Sequence, residues 1–376
     1  MRNTRIGIIG GGQLGMMLVQ AAVPFPCQIS VYDPNPTCSA AGFTSDFTQG
    51  EFSDFDAILE FGQKCDAVIF EIERVNADAL IALQKKGVKV VSSPEVLKWI
   101  QNKSIQRQTL DQEGFPVMKY QEITGENVRK YNGEFPVVQK LSVGGYDGKG
   151  VIIHQDTASL ESAPEVDSVF EEMVDIEKEL SVIVARNEHG DITCYEPTEM
   201  VFDPDLNLLD YLIAPANISE EIVRKLREIT NKFVTHFEFV GICAIEFFLT
   251  KTGEILINEI SPRVHNSGHQ TVLVNVCSQY EQQIRIALGL PLGSEDQLDS
   301  CLLANLIADN SQGDTAYIGL EEGYKIPGTQ FTFYGKEQVK PGRKMGHVVI
   351  LGTDMEEKLS KLDTIRKNIT ITSHAS

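Results

Sequence analysis

Short apolar runs, broken by glycine, proline and charged positions, dominate the chain, and their spacing sets the elements. Up to residue 94, β-like runs at Arg5–Ile9, Gln28–Tyr32, Ala67–Phe70 and Val88–Val91 alternate with stretches of helical spacing. Strands that alternate with helices predict a parallel, doubly wound α/β unit, here residues 1–94, with Pro94 opening a helix at its boundary. From Glu95 to Glu113 the spacing is helical, with Asn102-Lys103 in the middle. Phe135–Lys140 and Val151–Ile153 read as strands joined by a glycine-rich loop, Phe170–Val174 as a short apolar segment broken by acids, and Glu179–Arg186 as a strand that starts on an acid. Ser219-Glu220-Glu221 caps a helix whose Ile222, Leu226, Ile229, Phe233 and Phe237 keep one face, which makes it scaffold.

The next two apolar runs, Gly241–Thr250 and Glu254–Ile260, are separated by Lys251-Thr252-Gly253 and read as a β-hairpin. A two-residue turn at Thr252-Gly253 sets Lys251 opposite Glu254 and, counting back, Glu246 opposite Glu259, with Cβ atoms roughly 4.5–5.5 Å apart. Like charges directly opposite each other are destabilising, so the pair needs a cation between them. Hard oxygen ligands that leave room for water and phosphate suit Mg²⁺, or Mn²⁺ in its place. Ser261-Pro262-Arg263-Val264-His265-Asn266 then bring a fixed cation, an imidazole and an amide onto the loop leaving the strand. A solvent-facing hairpin edge with incidental acids fits the same residues.

After His269 a helix is expected to run to Leu288 and stop at Gly289 and Pro291, with Leu292–Gln297 as a linker. The remainder has strands near Cys301–Leu306, Gln330–Tyr334 and His347–Leu351 and a helix over Met355–Arg366, a small α+β unit. The expected organisation is therefore α/β and α+β, in three parts: 1–94, 95–293 with a flap at about 118–186, and 294–376.

Composition narrows the class. A chain of 376 residues has room for two or three domains, and no run approaches the eighteen or so apolar residues of a membrane span. Its opening residues lack the apolar core of a signal peptide, so a cytoplasmic protein is expected. Cys27, Cys38, Cys65, Cys194, Cys243, Cys277 and Cys301 are odd in number, scattered and without C-x-x-C spacing, which argues against disulfides and zinc. A net charge of −20 argues against nucleic acid as a partner, because that binding comes from neutralising phosphates with Lys and Arg. An anionic substrate must be held by a local cluster of cations.

Three stretches offer such chemistry. Gly10-Gly-Gly-Gln-Leu-Gly15 follows a strand, opens a helix and precedes Asp33 at the distance of a dinucleotide fold's ribose-binding acid, which read alone says NAD. The same turn can face any phosphate or small polar ligand. Leu141-Ser-Val-Gly-Gly-Tyr-Asp-Gly-Lys-Gly150 lies between two strands, unlike a Walker A loop, and reads as a flap over phosphates or as a plain flexible turn. Glu179 could accept hydrogen bonds from ribose hydroxyls or be an ordinary edge residue. Lys340-Pro-Gly-Arg343-Lys344-Met-Gly-His347 is the concentrated cationic site of the last unit.

The flap, Lys140, Glu179 and the Glu246/Asn258-Glu259 set, in this order, resemble the ATP-grasp ligases, which hold ATP between two lobes with Mg²⁺ on such carboxylates. More narrowly the chain is similar to the N5-carboxyaminoimidazole ribonucleotide synthetases of purine biosynthesis. That similarity rests on Gly10–Gly15, Tyr32-Asp-Pro34, Glu71-x-Glu73, Gly144–Gly150, Asn258–His269 and Arg343–His347, which span nearly the whole chain. It implies a Rossmann-like N-terminal domain, a central ATP-grasp domain and a small C-terminal domain. The implied reaction is ATP- and bicarbonate-dependent carboxylation of the exocyclic amine of 5-aminoimidazole ribonucleotide through carboxyphosphate, in a cytoplasmic homodimer.

Carried over by position, the resemblance implies that Lys103, Lys140, Gly145, Tyr146, Asp147, Gly148, Lys149, Gly150, the Glu171-Glu172-Met173-Val174 hinge, Glu179, Asn258 and Glu259 bind ATP. Gln13, Asp33, Glu73, Tyr146, Asn266, Arg343 and Lys344 would bind the imidazole nucleotide. Asp147, Arg263, His265 and Lys344 would serve catalysis, and Glu246 and Glu259 the metal. The chain departs from the family at Met16, where Arg is frequent, at Arg74 in place of Asn, and at Phe202 in place of a His near the nucleotide. Competing readings are another ATP-grasp enzyme, such as the formate-dependent glycinamide ribonucleotide transformylase or a biotin carboxylase, an NAD-dependent oxidoreductase, and a non-catalytic nucleotide-binding regulator.

Overall fold

The computed structural model describes residues 4–145, 150–203 and 208–374. The N-terminal unit is a five-stranded parallel sheet, β1 (Thr4–Ile9), β2 (Cys27–Asp33), β3 (Asp46–Gln49), β4 (Ala67–Phe70) and β5 (Lys89–Val91), in the order β3-β2-β1-β4-β5. Crossover helices α1 (Gln13–Ala22), α2 (Phe55–Gly62) and α3 (Ala77–Lys85) cover it. Burial on both faces explains why Ala67–Phe70 is apolar throughout rather than alternating. Strand β3 carries no apolar alternation and did not register as a run in the sequence. Helix α1 starts hard against the glycine turn: Gly10 has φ +102°, and a Cβ at Gly15 would collide with the Gly10 carbonyl.

The expected single helix over 95–113 is two, α4 (Pro94–Ile100) and α5 (Lys103–Gln112). Asn102 breaks it, because its side chain accepts from the Ser104 and Ile105 amides as an N-cap, and this sets Lys103 on the first turn of α5. A four-stranded antiparallel sheet follows, β6 (Tyr120–Ile123), β7 (Val137–Leu141), β8 (Val151–His154) and β9 (Ser168–Glu172), in the order β6-β9-β7-β8. The glycine loop joins β7 to β8, as expected of a flap.

The second large sheet holds β10 (Ile176–Arg186), β11 (Ile192–Cys194), β12 (Thr198–Asp203), β13 (Leu208–Ala214), β14 (Gly241–Thr250), β15 (Ile255–Ser261) and β16 (Cys301–Ile307). Next come β17 (Gly313–Ile318), β18 (Thr329–Phe333), β19 (Gln338–Val339), β20 (Lys344–Leu351) and β21 (Thr370–Ser373). The sheet runs β15-β14-β10-β12-β13-β16-β20-β18, so the C-terminal strands extend the central sheet through the β13–β16 pair. Strands β17, β19 and β21 form a small separate sheet.

Helix α6 (Glu220–His236), N-capped by Ser219, packs Leu226, Phe233 and Val234 on one face of β10 and β14, against Leu180, Val182, Ile245 and Phe247. The helix expected from His269 to Leu288 is two, α7 (Thr271–Val274) and α8 (Gln279–Ala287); Ser278 caps the second. Tyr280, Ile284 and Ala287 of α8 share a core with Leu14 and Leu18 of α1 and with Ile183, Ala185, Ile242 and Ala244 of the large sheet. One helix thus ties the N-terminal unit to the central sheet. Helices α9 (Leu320–Tyr324) and α10 (Met355–Asn368) complete the C-terminal part.

The C-terminal strands are joined to the body by a buried ring cluster. His269 stacks on His347 with centroids 4.6 Å apart, His269 Nδ1 meets the Tyr280 hydroxyl at 2.5 Å, and the Tyr334 hydroxyl meets His347 Nδ1 at 2.9 Å. Burial pushes both imidazoles below their ordinary value, His347 to about 3. Between pH 6.5 and 3 the unfolded chain binds protons that the folded one does not, so stability is full above pH 6.5 and falls as pH drops. His347→Gln should reduce the stability lost between pH 7.5 and 5 by about 1–2 kcal/mol, read from urea unfolding at the two pH values.

Candidate active site

The site grows from a hairpin whose register shifts once. Thr250 donates to the Glu254 carbonyl at 2.9 Å, so the turn is the three residues Lys251–Gly253, with Gly253 at φ +85°, and not the expected two. Next come Leu249 opposite Ile255 and Phe247 opposite Ile257; the register then slips by one, and Glu246 stands opposite Glu259. Asn258 is the extra residue, a β-bulge. In a regular strand Asn258 and Glu259 would face opposite sides, yet Lys140 Nζ donates to Asn258 Oδ1 at 2.8 Å and Lys103 Nζ to Glu259 Oε1 at 2.7 Å. The bulge turns both side chains to one cleft, while Ile257 and Ile260 stay in the core.

A buried circuit braces the bulge. Arg107, one turn along α5 from Lys103, donates to the Ile257 and Asn258 carbonyls at 2.7 and 3.0 Å and from Nε to Glu171 Oε1 at 2.8 Å. The other oxygen of Glu171 meets Lys140 Nζ at 2.7 Å. Burial would raise Glu171, but Lys140 and Arg107 outweigh it and hold the carboxyl below its ordinary value.

The open side of this cluster is acidic. Burial, with Glu259 and Glu179 nearby, pushes Glu246 up to about 8, and burial lifts Glu179 to about 7. Glu259 differs: burial opposes ionisation, but Lys103, Lys140 and His265 keep its pKa low. His265 Nε2 lies 3.6 Å from Glu246 Oε1, and Ser181, opposite Glu246 on β10, bonds Ser267 at 2.7 Å. Among the described residues no three His, Cys, Asp or Glu side chains form a ready-made metal centre. Two facing carboxylates, one of them paired to Lys103 and the other with only His265 at 3.6 Å, are a donor set that fits Mg²⁺, which keeps several waters and takes phosphate oxygens alongside one or two carboxylates.

The far wall of the cleft comes from the two ends of the chain. Arg263 Nη2 pairs with Glu73 Oε1 at 2.9 Å, and Asn266 Oδ1 is buried without a partner. The Gly11 amide donates to Asp33 Oδ2 at 2.7 Å, the Gly12 amide to Glu71 Oε1 at 2.9 Å and the Gly10 amide to the Tyr32 carbonyl at 2.9 Å. The amides of Gly10, Gly11 and Gly12 are thus taken by the protein's own groups, which counts against the dinucleotide reading of this turn. Lys336 Nζ reaches Gln13 Oε1 at 3.0 Å and the Lys344 carbonyl at 2.6 Å, and Arg343 Nη1 reaches the Gln338 carbonyl at 2.6 Å. A cavity of about 360 Å³ lies between them, lined by Gly12, Asp33, Ser39, Lys336, Lys340 and Arg343 among others, and the buried Ser39 hydroxyl has no partner.

The structure therefore gathers Lys103, Lys140, Glu179, Glu246, Asn258, Glu259 and His265 in one cleft, and Gln13, Asp33, Glu73, Arg263, Asn266 and Arg343 along its far wall, where Lys344 contributes its carbonyl to Lys336. Glu172 pairs with Lys119 at 3.3 Å, Met173 is exposed, and Val174 follows as a half-buried residue. Gly145 and Gly150 bound the flap tip, and Tyr146, Asp147, Gly148 and Lys149 lie outside the described residues. Sequence reasoning missed Arg107, Lys336 and Ser39, and it quoted Glu71 in the Glu71-x-Glu73 motif without giving it a role; of the three missed residues only Arg107 left a signal, the four-residue spacing from Lys103. At the three departures, Met16 is buried in α1, Arg74 sits over the Phe52 ring at 5.9 Å, and Phe202 packs beside Met200 and Leu212.

Three domain families match the chain: the ribonucleotide synthetase preATP-grasp domain over residues 3–101, the ATP-grasp domain over 108–280, and the phosphoribosylaminoimidazole carboxylase C-terminal domain over 301–361. The N5-carboxyaminoimidazole ribonucleotide synthase of Bacillus subtilis is 32% identical over 95% of this chain and 94% of its own. The crystal structure of the corresponding synthetase from Thermotoga maritima is 40% identical with a TM-score of 0.90, covering 99% of this chain and 100% of that one. The Aspergillus clavatus synthase, solved with ADP and 5-aminoimidazole ribonucleotide, is 27% identical with a TM-score of 0.86 over 98% of this chain and 100% of that one.

Removing Glu171 tests the charge circuit. Glu171→Ala leaves Arg107 and Lys140 buried and uncompensated and should cost about 3–5 kcal/mol. Glu172→Ala, at a half-exposed pair, should cost under about 1 kcal/mol. Urea unfolding midpoints of the two variants separate these outcomes.

Proposed function

The chain belongs to the N5-carboxyaminoimidazole ribonucleotide synthase family of ATP-grasp ligases, and from that membership we propose roles for the residues of its cleft. The activity is ATP-dependent carboxylation of 5-aminoimidazole ribonucleotide. We assign Lys103, Lys140, Asn258, the 171–174 segment, Glu179 and the flap at 144–150 to ATP. The Glu171 carboxylate is already engaged by Arg107 and Lys140, so that segment meets the base with its backbone and with Met173 and Val174. Of the flap residues, Tyr146 also meets the imidazole nucleotide, Asp147 serves catalysis and Lys149 faces the phosphates.

The observation that carries this reading is Glu246 opposite Glu259 at the mouth of a lysine-lined cleft. These carboxylates would hold Mg²⁺ or Mn²⁺, which would supply neutralisation of the phosphate charge. Lys103 and Lys140 orient the γ-phosphoryl group for a bicarbonate oxygen, ADP leaves, and carboxyphosphate forms. The substrate's exocyclic amine then attacks the carboxyl carbon, phosphate departs, and the amine loses a proton. Arg263 preorganises positive charge where the anion develops, with the His265 imidazole beside it. Gln13, Asp33, Glu73 and Asn266 face the sugar and imidazole, while Arg343, Lys344, Lys340 and Lys336 take its phosphate beside Ser39.

We also propose the domain limits 1–94, 95–293 with a flap at 118–186, and 294–376, a homodimer, and a cytoplasmic location. The order of the three matched spans, 3–101, 108–280 and 301–361, supports a division into three units. Among the described residues no helix is long and apolar enough to cross a membrane.

Two variants test the assignments. Glu259→Gln keeps the shape and removes a charge the metal needs, so turnover should fall by orders of magnitude while the fold survives; near-normal turnover with normal Mg²⁺ dependence rules the hairpin out as the metal site. Lys344→Ala should raise the apparent KM for the imidazole nucleotide ten- to hundredfold, about 1.5–3 kcal/mol for a charge-assisted hydrogen bond, and leave the KM for ATP nearly unchanged. Equal effects on both, or on neither, contradict the assignment.

A further inference from the structure

The apolar pattern of β15 requires one extra residue in the strand but does not say which. If the pairing of Leu249 with Ile255 and Phe247 with Ile257 continued unbroken, Asn258 would face Glu246, and Glu259 would stand opposite Ile245 on the apolar face. Ile257 and Ile260 must both reach that core, so either Asn258 or Glu259 has to be extruded. Extruding Glu259 would leave an amide, not a carboxylate, facing Glu246. The two solutions differ by one residue of slip and in the charge presented at the site.

Arg107 distinguishes them. In a regular strand successive carbonyls point to opposite edges, yet the Ile257 and Asn258 carbonyls both accept from this one guanidinium, at 2.7 and 3.0 Å. Arg107 is 3% exposed, and its Nε and Nη2 are held by Glu171, so its fork is aimed at the strand by a contact that does not involve the strand. The edge strand also receives a second tether there, the Ile257 amide donating to the Pro116 carbonyl at 2.8 Å.

We infer that Arg107 is a positioning residue for the metal–nucleotide site: it fixes the bulge at Asn258 and so sets Glu259, rather than Asn258, opposite Glu246. It touches none of the reacting atoms. The inference rests on the assignment of Glu246 and Glu259 to the divalent cation, and its test separates the two claims.

Mn²⁺ is titrated in the presence of ADP and followed by electron paramagnetic resonance, on wild type, Arg107→Met, Arg107→Lys and Glu259→Gln. Arg107→Met should weaken Mn²⁺ binding at least tenfold and lower kcat, with the KM for the imidazole nucleotide within twofold. Arg107→Lys keeps the charge but reaches one carbonyl at most, and should fall between Arg107→Met and wild type. A loss of folding alone would reduce the number of sites without changing the affinity of those that remain. If Arg107→Met does not fold, Arg107→Lys decides: Mn²⁺ affinity within twofold of wild type overturns the inference. If Glu259→Gln loses Mn²⁺ and the Arg107 variants do not, the positioning role fails and the metal assignment stands. If Glu259→Gln binds Mn²⁺ normally, both fail.

Discussion

Everything at this site depends on keeping like charges close together without a core collapsing around them. Glu246, Glu259 and Glu179 share one face of β14, β15 and β10, and burial makes their mutual repulsion stronger than it would be in water. Behind them, Arg107, Lys140, Glu171 and Asn258 close a circuit in which each charge has an opposite partner. The back of the cleft is therefore paired and rigid, with one cation in excess, and its front is left acidic. Geometry is held by the part that is satisfied, and chemistry is left to the part that is not.

The fold supplies walls to this arrangement from distant parts of the chain. Helix α5 and the flap sheet bring Lys103, Arg107, Lys140 and Glu171 to one side. The shared core of α1 and α8 holds the glycine turn against the large sheet, and the stacked His269 and His347 hold the last strands on it. Lys336, Lys340 and Arg343 therefore face Asp33 and Ser39 across a cavity, although some three hundred residues separate them in sequence. In a chain of net charge −20 this cavity gathers three cations on one wall, the concentration of positive charge that the proposed phosphate site needs.

Much of this was legible in the sequence because periodicity and chemistry coincide. The N-terminal βα alternation, the flap between two strands and the Glu246–Glu259 pairing were all readable. The last came out correctly for an incomplete reason: the turn has one residue more than expected, and the bulge at Asn258 cancels that offset. The pattern Ile255-Leu-Ile257-Asn-Glu-Ile260, where apolar spacing lengthens from two to three, carried the bulge signal. The helix break at Asn102 was hidden because an N-cap inside a helical pattern leaves the period intact. Ser39 and Lys336 were not legible at all, and Glu71 was visible as part of a motif but not as the partner of the Gly12 amide. Their roles come from tertiary contacts with Gly12 and Gln13 and from a shared cavity, which no local pattern encodes.

The central claim is that Glu246 is a carboxyl whose neighbouring cations do not offset its burial and the acids around it, and that a divalent cation and its nucleotide complete it. Difference infrared spectroscopy near pH 6.5 tests it most directly, with the Glu246→Gln variant assigning the band. The account predicts a protonated carboxyl stretch from Glu246 in the ligand-free protein, since its pKa is pushed up to about 8, and loss of that band when Mg²⁺ and ADP bind. A Glu246 already ionised without ligand, or a protonated band that survives Mg²⁺ and ADP, would contradict it.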